Sequence, residues 1–341
     1  MEKALNTTTG ARPTVALAMG DPAGISPELT AKLVALDEAR SAARMLVIGD
    51  KRVFDAGAAV AKVAVDVDVV AGDGAIPVDR GRPVFVDLGH LDPNGIKRGV
   101  ASLEGGRFAL ANYRHAIERV MRGDAQAVCF TPFNKQAMRL ADPSYDDEIG
   151  FTAGVLGITG AATEFNILEG LWNARVTSHV PLAKVASLLT IDGIVDALEL
   201  AATALRAAGF EPPRIAVAAL NPHAGDGGNF GREEIDIIAP AVVRAKARGI
   251  TAEGPFPADT VFVRARRGDF DAVLTMYHDP GQIAMKLMGF ERGVTLLGGF
   301  PFPICTPAHG TAYEIAGKGV ANLGAARAAF LLAAEMAART H

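Results

Sequence analysis

The sequence predicts an α/β protein with a largely parallel or mixed sheet and two domains. Short runs rich in valine, isoleucine and leucine alternate with longer amphipathic stretches rich in alanine and leucine, as strands alternate with helices in this class. No internal repeat or low-complexity linker interrupts this alternation. The chain has 341 residues, and because a single hydrophobic core rarely extends over so many, two domains are expected.

The apolar runs predict strands and the amphipathic stretches predict helices. The strands are expected at residues 14–19, 45–48, 84–86, 127–130, 165–167, 175–177, 214–219, 272–276 and 294–297. The helices are expected at residues 27–36, 105–122, 191–208, 233–248 and 325–338. From the placement of the motifs described below, domain one is expected to comprise residues 1–130 and 310–341, and domain two residues 131–309.

Charge and composition argue against several classes of protein. The net charge is −4 with a pI near 6.0, whereas nucleic-acid-binding proteins normally have a basic excess. The two cysteines, Cys129 and Cys305, lie in apolar runs, which favours a reducing compartment over a disulfide framework. We find neither the apolar segment of a secretory signal nor an apolar run of the ~20 residues that a membrane helix needs. We therefore expect a globular cytoplasmic protein without nucleic-acid or membrane partners.

Several segments after predicted strands are candidates for binding an anionic or flat ligand. MGDPAGISPE, residues 19–28, leads into a helix whose N-terminus can hold an anion, although the pattern is also typical of an ordinary turn. TPAHGTAYEIAGKGVAN, residues 306–322, has glycines that let the backbone approach a flat ligand, or that only form a loop. Lys135 and Lys286 can each bind a carboxylate or phosphate, although such lysines are often merely solvated.

Three histidines stand at the ends of predicted strands. His179, His223 and His278 each follow a strand and precede turn residues, where α/β proteins place functional side chains. Three imidazoles can bind one divalent metal and leave positions open for substrate or water. Each histidine by itself is also typical of a structural turn, and no short ligand spacing such as HExxH supports the metal. Asp226 and Asp279 are near enough in sequence to orient the imidazoles.

Eight segments in order resemble the 4-hydroxythreonine-4-phosphate dehydrogenase family of vitamin B6 synthesis and its catabolic relatives. They are GDPAGISPE, GVASLEGG, TPFNK, SHVPL, LNPHAGDGGNFGREE, GPFPADTVF, MYHDPGQIAMK and HGTAYEIAGKG, and they span nearly the whole chain. The resemblance implies a homodimer with two α/β/α domains per subunit, similar to isocitrate and isopropylmalate dehydrogenases. It also implies an active site in the interdomain cleft at the dimer interface.

The resemblance further implies roles for individual residues. The metal ligands are expected to be His179, His223 and His278, the last reaching the site from the other subunit. Three imidazoles suit Zn as first choice, or Co or Ni, whereas a carboxylate-rich set would prefer Mg or Mn. Asp259, Asp279 and Lys286 are the candidates for the general base. The residues expected to bind NAD are His309, Gly310, Thr311, Ala312, Glu314 and Asn322. Glu314 would bind the ribose hydroxyls and repel a 2′-phosphate, which favours NAD over NADP.

This chain departs from the family where the family binds its substrate. The family's GHTE reads GFTA here, which places Phe151 and Thr152 at its substrate contacts. An asparagine of the family falls on Thr295 and an arginine falls on Ile304. These replacements remove hydrogen-bond donors and a positive charge, which predicts a less polar pocket. Such a pocket would bind a phosphate poorly, because burying a phosphate without partners is costly. The residues predicted to contact the substrate are Phe151, Thr152, Lys286, Thr295 and Ile304.

These departures favour a catabolic branch, the terephthalate cis-dihydrodiol dehydrogenases. We expect metal-dependent, NAD-linked oxidation and decarboxylation of a β-hydroxy acid, with a terephthalate-type cis-dihydrodiol dicarboxylate converted to protocatechuate. The alternative is a 4-hydroxythreonine-4-phosphate dehydrogenase, or a dehydrogenase of a related sugar-acid phosphate. A remote alternative is a non-catalytic sensor that binds metal and nucleotide.

Overall fold

The computed structural model describes residues 12–339, in which twelve strands form one mixed sheet. The strands are β1 (Thr14–Ala18), β2 (Arg44–Gly49), β3 (Asp68–Ala71), β4 (Val84–Asp87), β5 (Ala127–Phe130), β6 (Thr163–Leu168), β7 (Leu171–Arg175), β8 (Ile215–Ala218), β9 (Ala252–Phe256), β10 (Ala272–Thr275), β11 (Val294–Gly298) and β12 (Ile304–Pro307). Their order along the sheet is β3-β4-β2-β1-β5-β12-β11-β6-β7-β10-β8-β9.

Two blocks of parallel strands make up this sheet, and they run in opposite directions. The first block extends from β3 to β12 and the second from β7 to β9. Between them, β11 is antiparallel to β12 and β6, and β6 is antiparallel to β7. The carboxyl ends of the two blocks therefore lie at opposite edges of the sheet, and the prediction of a mixed sheet is confirmed.

Helices cover both faces of the sheet. They are α1 (Ser26–Ala35), α2 (Asp37–Ala42), α3 (Lys51–Ala61), α4 (Leu103–Met121), α5 (Lys135–Ala141), α6 (Glu148–Leu156), α7 (Val185–Leu188), α8 (Ile191–Ala207), α9 (Ala239–Ala247), α10 (Ala258–Arg266), α11 (His278–Gly289) and α12 (Gly324–Arg339). Val15 of β1 belongs to the same core as Phe330 of α12, whereas Ala16 belongs to the core of Tyr113 on α4. Burial on both faces explains why β1 reads as a continuous apolar run. None of the described helices is long and apolar enough to cross a membrane.

Most of the predicted strands and helices occur close to their expected positions, but the strand predicted at residues 175–177 is wrong. The strand of this region is β7, which ends at Arg175. It carries buried polar side chains, such as Asn173, whose Nδ2 donates to the carbonyl of Val273 at 3.1 Å. Because β7 buries polar side chains, it lacks the apolar pattern on which the prediction rested.

Three strands were not predicted, and each has a physical reason. β3 and β9 are the edge strands, and β9 contains Gly254 and Pro255, which an edge strand tolerates because it needs fewer ladder hydrogen bonds. β12 is only four residues long and is bounded by prolines. The expected domain boundaries near residues 130 and 310 stay predictions.

Candidate active site

The three predicted metal ligands follow three neighbouring strands of the second block. His179 lies shortly after β7, His223 lies after β8, and His278 begins α11 just after β10. β10 lies between β7 and β8 and is parallel to both. Because the carboxyl ends of parallel strands meet at one edge of a sheet, all three histidines lie along this edge.

Two of these histidines lie close together in space within one folded chain. The ring centroids of His179 and His278 are 5.9 Å apart. The Nδ1 atom of His278 lies 2.8 Å from Oδ1 of Asp279, which orients the ring and leaves Nε2 available as a ligand atom. Across residues 12–339, no three histidine, cysteine or acidic side chains converge closely enough to hold a metal. One chain thus brings the rings of His179 and His278 together, and among the described residues His223 does not form a three-ligand group with them.

Backbone strain concentrates at this edge and at the predicted NAD segment. Seven non-glycine residues among those described have positive φ, and five of them belong to the segments of His179, His223 and Ala312. Residues 223–227 form a left-handed turn in which φ lies between 44° and 79°. A left-handed conformation costs about 1–2 kcal/mol for each non-glycine residue, so other contacts must hold the turn.

Glu234 provides those contacts. Its side chain is only 3% exposed, and it lies in a π-helical turn, Glu234–Ile238, that precedes α9. The Oε1 atom accepts hydrogen bonds from the backbone N–H groups of Leu220 and Asn221 at 2.8 and 2.7 Å, and Oε2 accepts from Nδ2 of Asn221 at 2.9 Å. Gly225 packs against this carboxylate so closely that a Cβ atom there would lie 2.8 Å from Oε2. Our sequence predictions did not include Glu234, although the GREE segment contains it.

A cleft crosses one face of the central strands. Thr295 of β11 pairs with Thr306 of β12, and Leu297 of β11 pairs with Glu164 of β6. Since paired residues and alternate residues along a strand share a face, these four side chains point to the same side. All four line the cleft, together with His309 and Gly310 of the predicted NAD segment.

A buried arginine connects this cleft to the histidine pair. Arg175 is 5% exposed and donates from Nη2 to Glu164 at 2.6 Å and from Nη1 to Asn166 at 2.8 Å. Its Nε donates to Oγ of Ser178 at 2.9 Å, next to His179. Gln282 of α11 also donates to Asn166. One guanidinium therefore fixes the cleft wall relative to both histidine-bearing segments, a role that the sequence predictions missed.

The residues predicted to contact the substrate lie partly in the cleft and partly in the interior. Thr295 lines the cleft, whereas Phe151 is half-buried and stacks on Tyr113 with 5.6 Å between ring centroids. Thr152 and Ile304 are fully buried at 0% exposure, and Thr152 is hydrogen-bonded to Oη of Tyr113 at 2.6 Å. The direct contact of Phe151, Thr152 and Ile304 with a substrate stays a prediction.

The three candidates for the general base lie on exposed helix turns. Asp259 is in the first turn of α10, and Asp279 is in the first turn of α11. Asp279 and Lys286 share a helix face with Ile283 and Leu287, whose exposures are 60% and 83%. An exposed face with large apolar side chains is typical of a surface that another molecule covers.

The segment predicted to bind NAD packs against the GDPAG turn. Ile25 donates its backbone N–H to the carbonyl of Thr311 at 3.0 Å. A Cβ atom at Gly24 would lie 2.8 Å from the side chain of Thr311, so this turn requires glycine. Tyr313 donates from Oη to Asp21, and burial raises the pKa of this carboxyl. The GDPAG segment, which also fits an ordinary turn, therefore holds the NAD segment in place.

A second carboxylate supports the end of this segment. Glu28 of α1 is buried and accepts backbone hydrogen bonds from Gly317, Gly319 and Ala321 at 3.1–3.3 Å. Glu314 is exposed on a 3₁₀-helical turn, Tyr313–Ile315, and Asn322 accepts from the N–H of Gly324 at the start of α12. Their contacts with NAD stay predictions.

The chain is similar to known proteins along most of its length. The profile of a family described as "Pyridoxal phosphate biosynthetic protein PdxA" matches residues 41–333. A Rhizobium meliloti (strain 1021) protein with the provisional name 4-hydroxythreonine-4-phosphate dehydrogenase 2 is 60% identical over 97% of both chains. A Symbiobacterium thermophilum protein, provisionally named D-threonate 4-phosphate dehydrogenase, is 37% identical over 96% of this chain and 97% of its own. The crystal structure of 4-hydroxythreonine-4-phosphate dehydrogenase from Klebsiella pneumoniae has 33% identity and a TM-score of 0.83, covering 95% of this chain and 99% of that one.

These relatives correct the expected reaction. A terephthalate 1,2-cis-dihydrodiol dehydrogenase from Burkholderia xenovorans LB400 is more distant, with 27% identity and a TM-score of 0.64 over 93% of this chain and 98% of its own. The prediction of a decarboxylating dihydrodiol dehydrogenase is therefore wrong, and the alternative among phosphorylated substrates is better supported. That prediction rested on the departures at Phe151, Thr295 and Ile304, and the similarity of the whole chain to the phosphate dehydrogenases outweighs it.

Proposed function

This chain belongs to the family of the pyridoxal phosphate biosynthetic protein PdxA, and on that premise we propose that it oxidises a four-carbon hydroxy acid phosphate with NAD. The first candidate substrate is 4-hydroxythreonine 4-phosphate, and D-threonate 4-phosphate is the second. The observation that carries the proposal is the position of the cleft. It lies between the predicted NAD segment at His309 and the Arg175 network, which connects Glu164 to the loop of His179.

The donor set fits a divalent metal. His179 and His278 are adjacent, and Asp279 orients one of the two rings for ligation through Nε2. In the proposal, His179, His223 and His278 hold the metal, with His278 reaching the site from the other subunit. Zn is the first choice, and Co, Ni, Mg or Mn are the others. Such a metal, when bound, polarises the substrate hydroxyl as a Lewis acid. The protein's own contribution is to orient the substrate on Thr295 and to accept the hydroxyl proton at Asp259, Asp279 or Lys286.

A substrate comparison tests this function. Purified protein supplied with a divalent metal and NAD is mixed separately with 4-hydroxythreonine 4-phosphate, D-threonate 4-phosphate and the terephthalate dihydrodiol. We expect NADH to form with at least one of the phosphates and not with the dihydrodiol, and a chelator to stop its formation. NADH formation from neither phosphate would refute the proposal, and undiminished activity of metal-free protein would refute the role of the metal.

The exposed face of α11 supports a homodimer, which we propose together with a cytoplasmic location. Leu287 is 83% exposed, and burying such a side chain against a second subunit contributes about 1.5–3 kcal/mol. Replacing Leu287 with aspartate should therefore shift the protein from dimer to monomer in sedimentation velocity. Val243→Asp, at an exposed site on α9, serves as the control and should leave the dimer intact. A dimer of unchanged stability in Leu287→Asp would exclude this face.

Glu314 is proposed to select NAD through the ribose hydroxyls. It is exposed on its 3₁₀-helical turn, where an added ligand can reach it. Glu314→Lys should raise the KM for NAD about tenfold, because one charge-assisted hydrogen bond contributes roughly 1.5–3 kcal/mol. It should also lower the preference for NAD over NADP. Steady-state kinetics with both nucleotides measure this, with Glu335→Lys on the exposed end of α12 as the control. An unchanged ratio of kcat/KM for the two nucleotides would remove the assignment.

A further inference from the structure

Lys135 and Glu148 form an ion pair in the wall of the cleft. Nζ of Lys135 lies 3.3 Å from Oε2 of Glu148, and both residues line the cleft with Thr295 and His309. The side chain of Lys135 is 42% exposed, whereas that of Glu148 is only 11% exposed. The lysine is therefore the more accessible partner, and its ammonium group can turn towards a bound molecule without leaving the cleft.

Lys135 also has N–H donors that are not engaged in hydrogen bonds with the described residues, in contrast to Arg175, the other cation beside the cleft. Arg175 has each of its three nitrogens hydrogen-bonded, to Ser178, Asn166 and Glu164. Lys135 has three N–H donors, and the described residues give it a single long ion-pair contact. Among the described residues that line the cleft, it is the one lysine or arginine.

The N-terminus of α6 provides Glu148 with a second stabilising contact besides Lys135. It is the first residue of α6, where the positive end of the helix dipole favours a carboxylate. The hydroxyl of Tyr145 is buried and has no hydrogen-bond partner among residues 12–339. Burial, followed by the charge of Glu148, raises the pKa of this hydroxyl. Because Glu148 lies at the N-terminus of α6, releasing Lys135 does not leave its carboxylate without electrostatic stabilisation.

We propose that Lys135 binds the phosphate of the substrate and that Glu148 is its counter-ion in the free protein. The inference rests on the proposed function and names the residue that makes the cleft selective for a phosphorylated acid. Glu148 and the substrate phosphate then compete for one ammonium group. Because of this competition, substitutions of the two residues should change phosphate affinity in opposite directions, which a purely structural ion pair would not produce.

The test measures binding of inorganic phosphate by calorimetry, and separately the KM for the phosphorylated substrate. Lys135→Gln should weaken phosphate binding and raise this KM by about tenfold or more, with the KM for NAD unchanged, since one charge-assisted contact is lost. Glu148→Gln should strengthen phosphate binding severalfold by freeing the lysine. Lys135→Arg should retain most of the affinity, and Lys246→Gln, at an exposed lysine of α9, should match the wild type.

The outcomes separate this inference from the proposed function. Phosphate binding that depends on Lys135, in a protein that oxidises neither candidate substrate, would support the anion site and refute the proposed reaction. Oxidation of a candidate substrate with an unchanged KM in Lys135→Gln would support the proposed reaction and refute the anion site. Absence of phosphate binding in the wild type, or weaker binding in Glu148→Gln of unchanged melting temperature, would overturn the inference.

Discussion

Replacing His223 with asparagine should lower kcat/KM for the phosphorylated substrate by about 10³-fold, because losing the metal removes several kcal/mol of transition-state stabilisation. Asparagine is chosen because it tolerates the left-handed backbone of His223, where φ is 54°, while it removes the imidazole. The effect of losing a metal ligand can then be distinguished from the effect of disrupting the left-handed turn. Metal content by elemental analysis, and metal affinity of the stripped protein, should both fall with the activity.

This substitution has particular weight because His223 is the expected ligand outside the pair of His179 and His278. His179 and His278 have ring centroids 5.9 Å apart, and no group of three candidate ligands forms among residues 12–339. The control is His115→Asn, which removes a histidine of α4 outside the cleft and the histidine edge. Full metal content and normal kinetics in His223→Asn would show that the metal, if required, is held by a different set of residues.

Replacing Glu234 with alanine should have the second largest effect, on stability as well as on the site. Two backbone N–H groups, of Leu220 and Asn221, lose their acceptor. Each buried donor left without a partner costs about 1–3 kcal/mol, so the free energy of unfolding should fall by roughly 2–6 kcal/mol in urea titrations. The left-handed turn would also lose its support, and metal affinity should fall about 10–100-fold, as is typical when the residues behind a ligand are removed.

The neighbouring residue supplies a matched control for this experiment. Glu233 accepts one hydrogen bond, from Nδ2 of Asn221 at 2.7 Å, and it contacts neither backbone donor. Glu233→Ala should therefore destabilise the protein much less than Glu234→Ala, and it should leave metal affinity closer to that of the wild type. Equal effects of the two substitutions would contradict the specific role of Glu234.

The histidine edge could be predicted from the sequence because its signal is local. Each histidine lies three to five residues after a short strand, and parallel strands bring such positions together whatever the distance between them along the chain. The cleft wall could not be predicted in this way. Glu164 and Arg175 meet across the hairpin of β6 and β7, and its turn consists of Glu169 and Gly170, both with positive φ. Glutamate is an unusual first residue for such a turn, so the hairpin left no clear signal.

The direction of individual side chains is a second limit of sequence reasoning. Ile304 and Thr306 both lie on β12 and face the same side of the sheet, yet Ile304 is fully buried while Thr306 reaches the cleft. The covering helices determine this difference, and no pattern within β12 encodes it.

The position of β12 has a consequence for synthesis on the ribosome. This strand completes the first block by pairing with β5, and Thr306 donates to the carbonyl of Phe130, 176 residues earlier in the chain. The edge of β5 that pairs with β12 therefore stays unpaired until all of the second block has been translated. An unpaired edge of buried strands is prone to pair with other chains, and such distant pairing is slow. A nascent chain halted before residue 304 would thus present this edge to chaperones or to neighbouring copies.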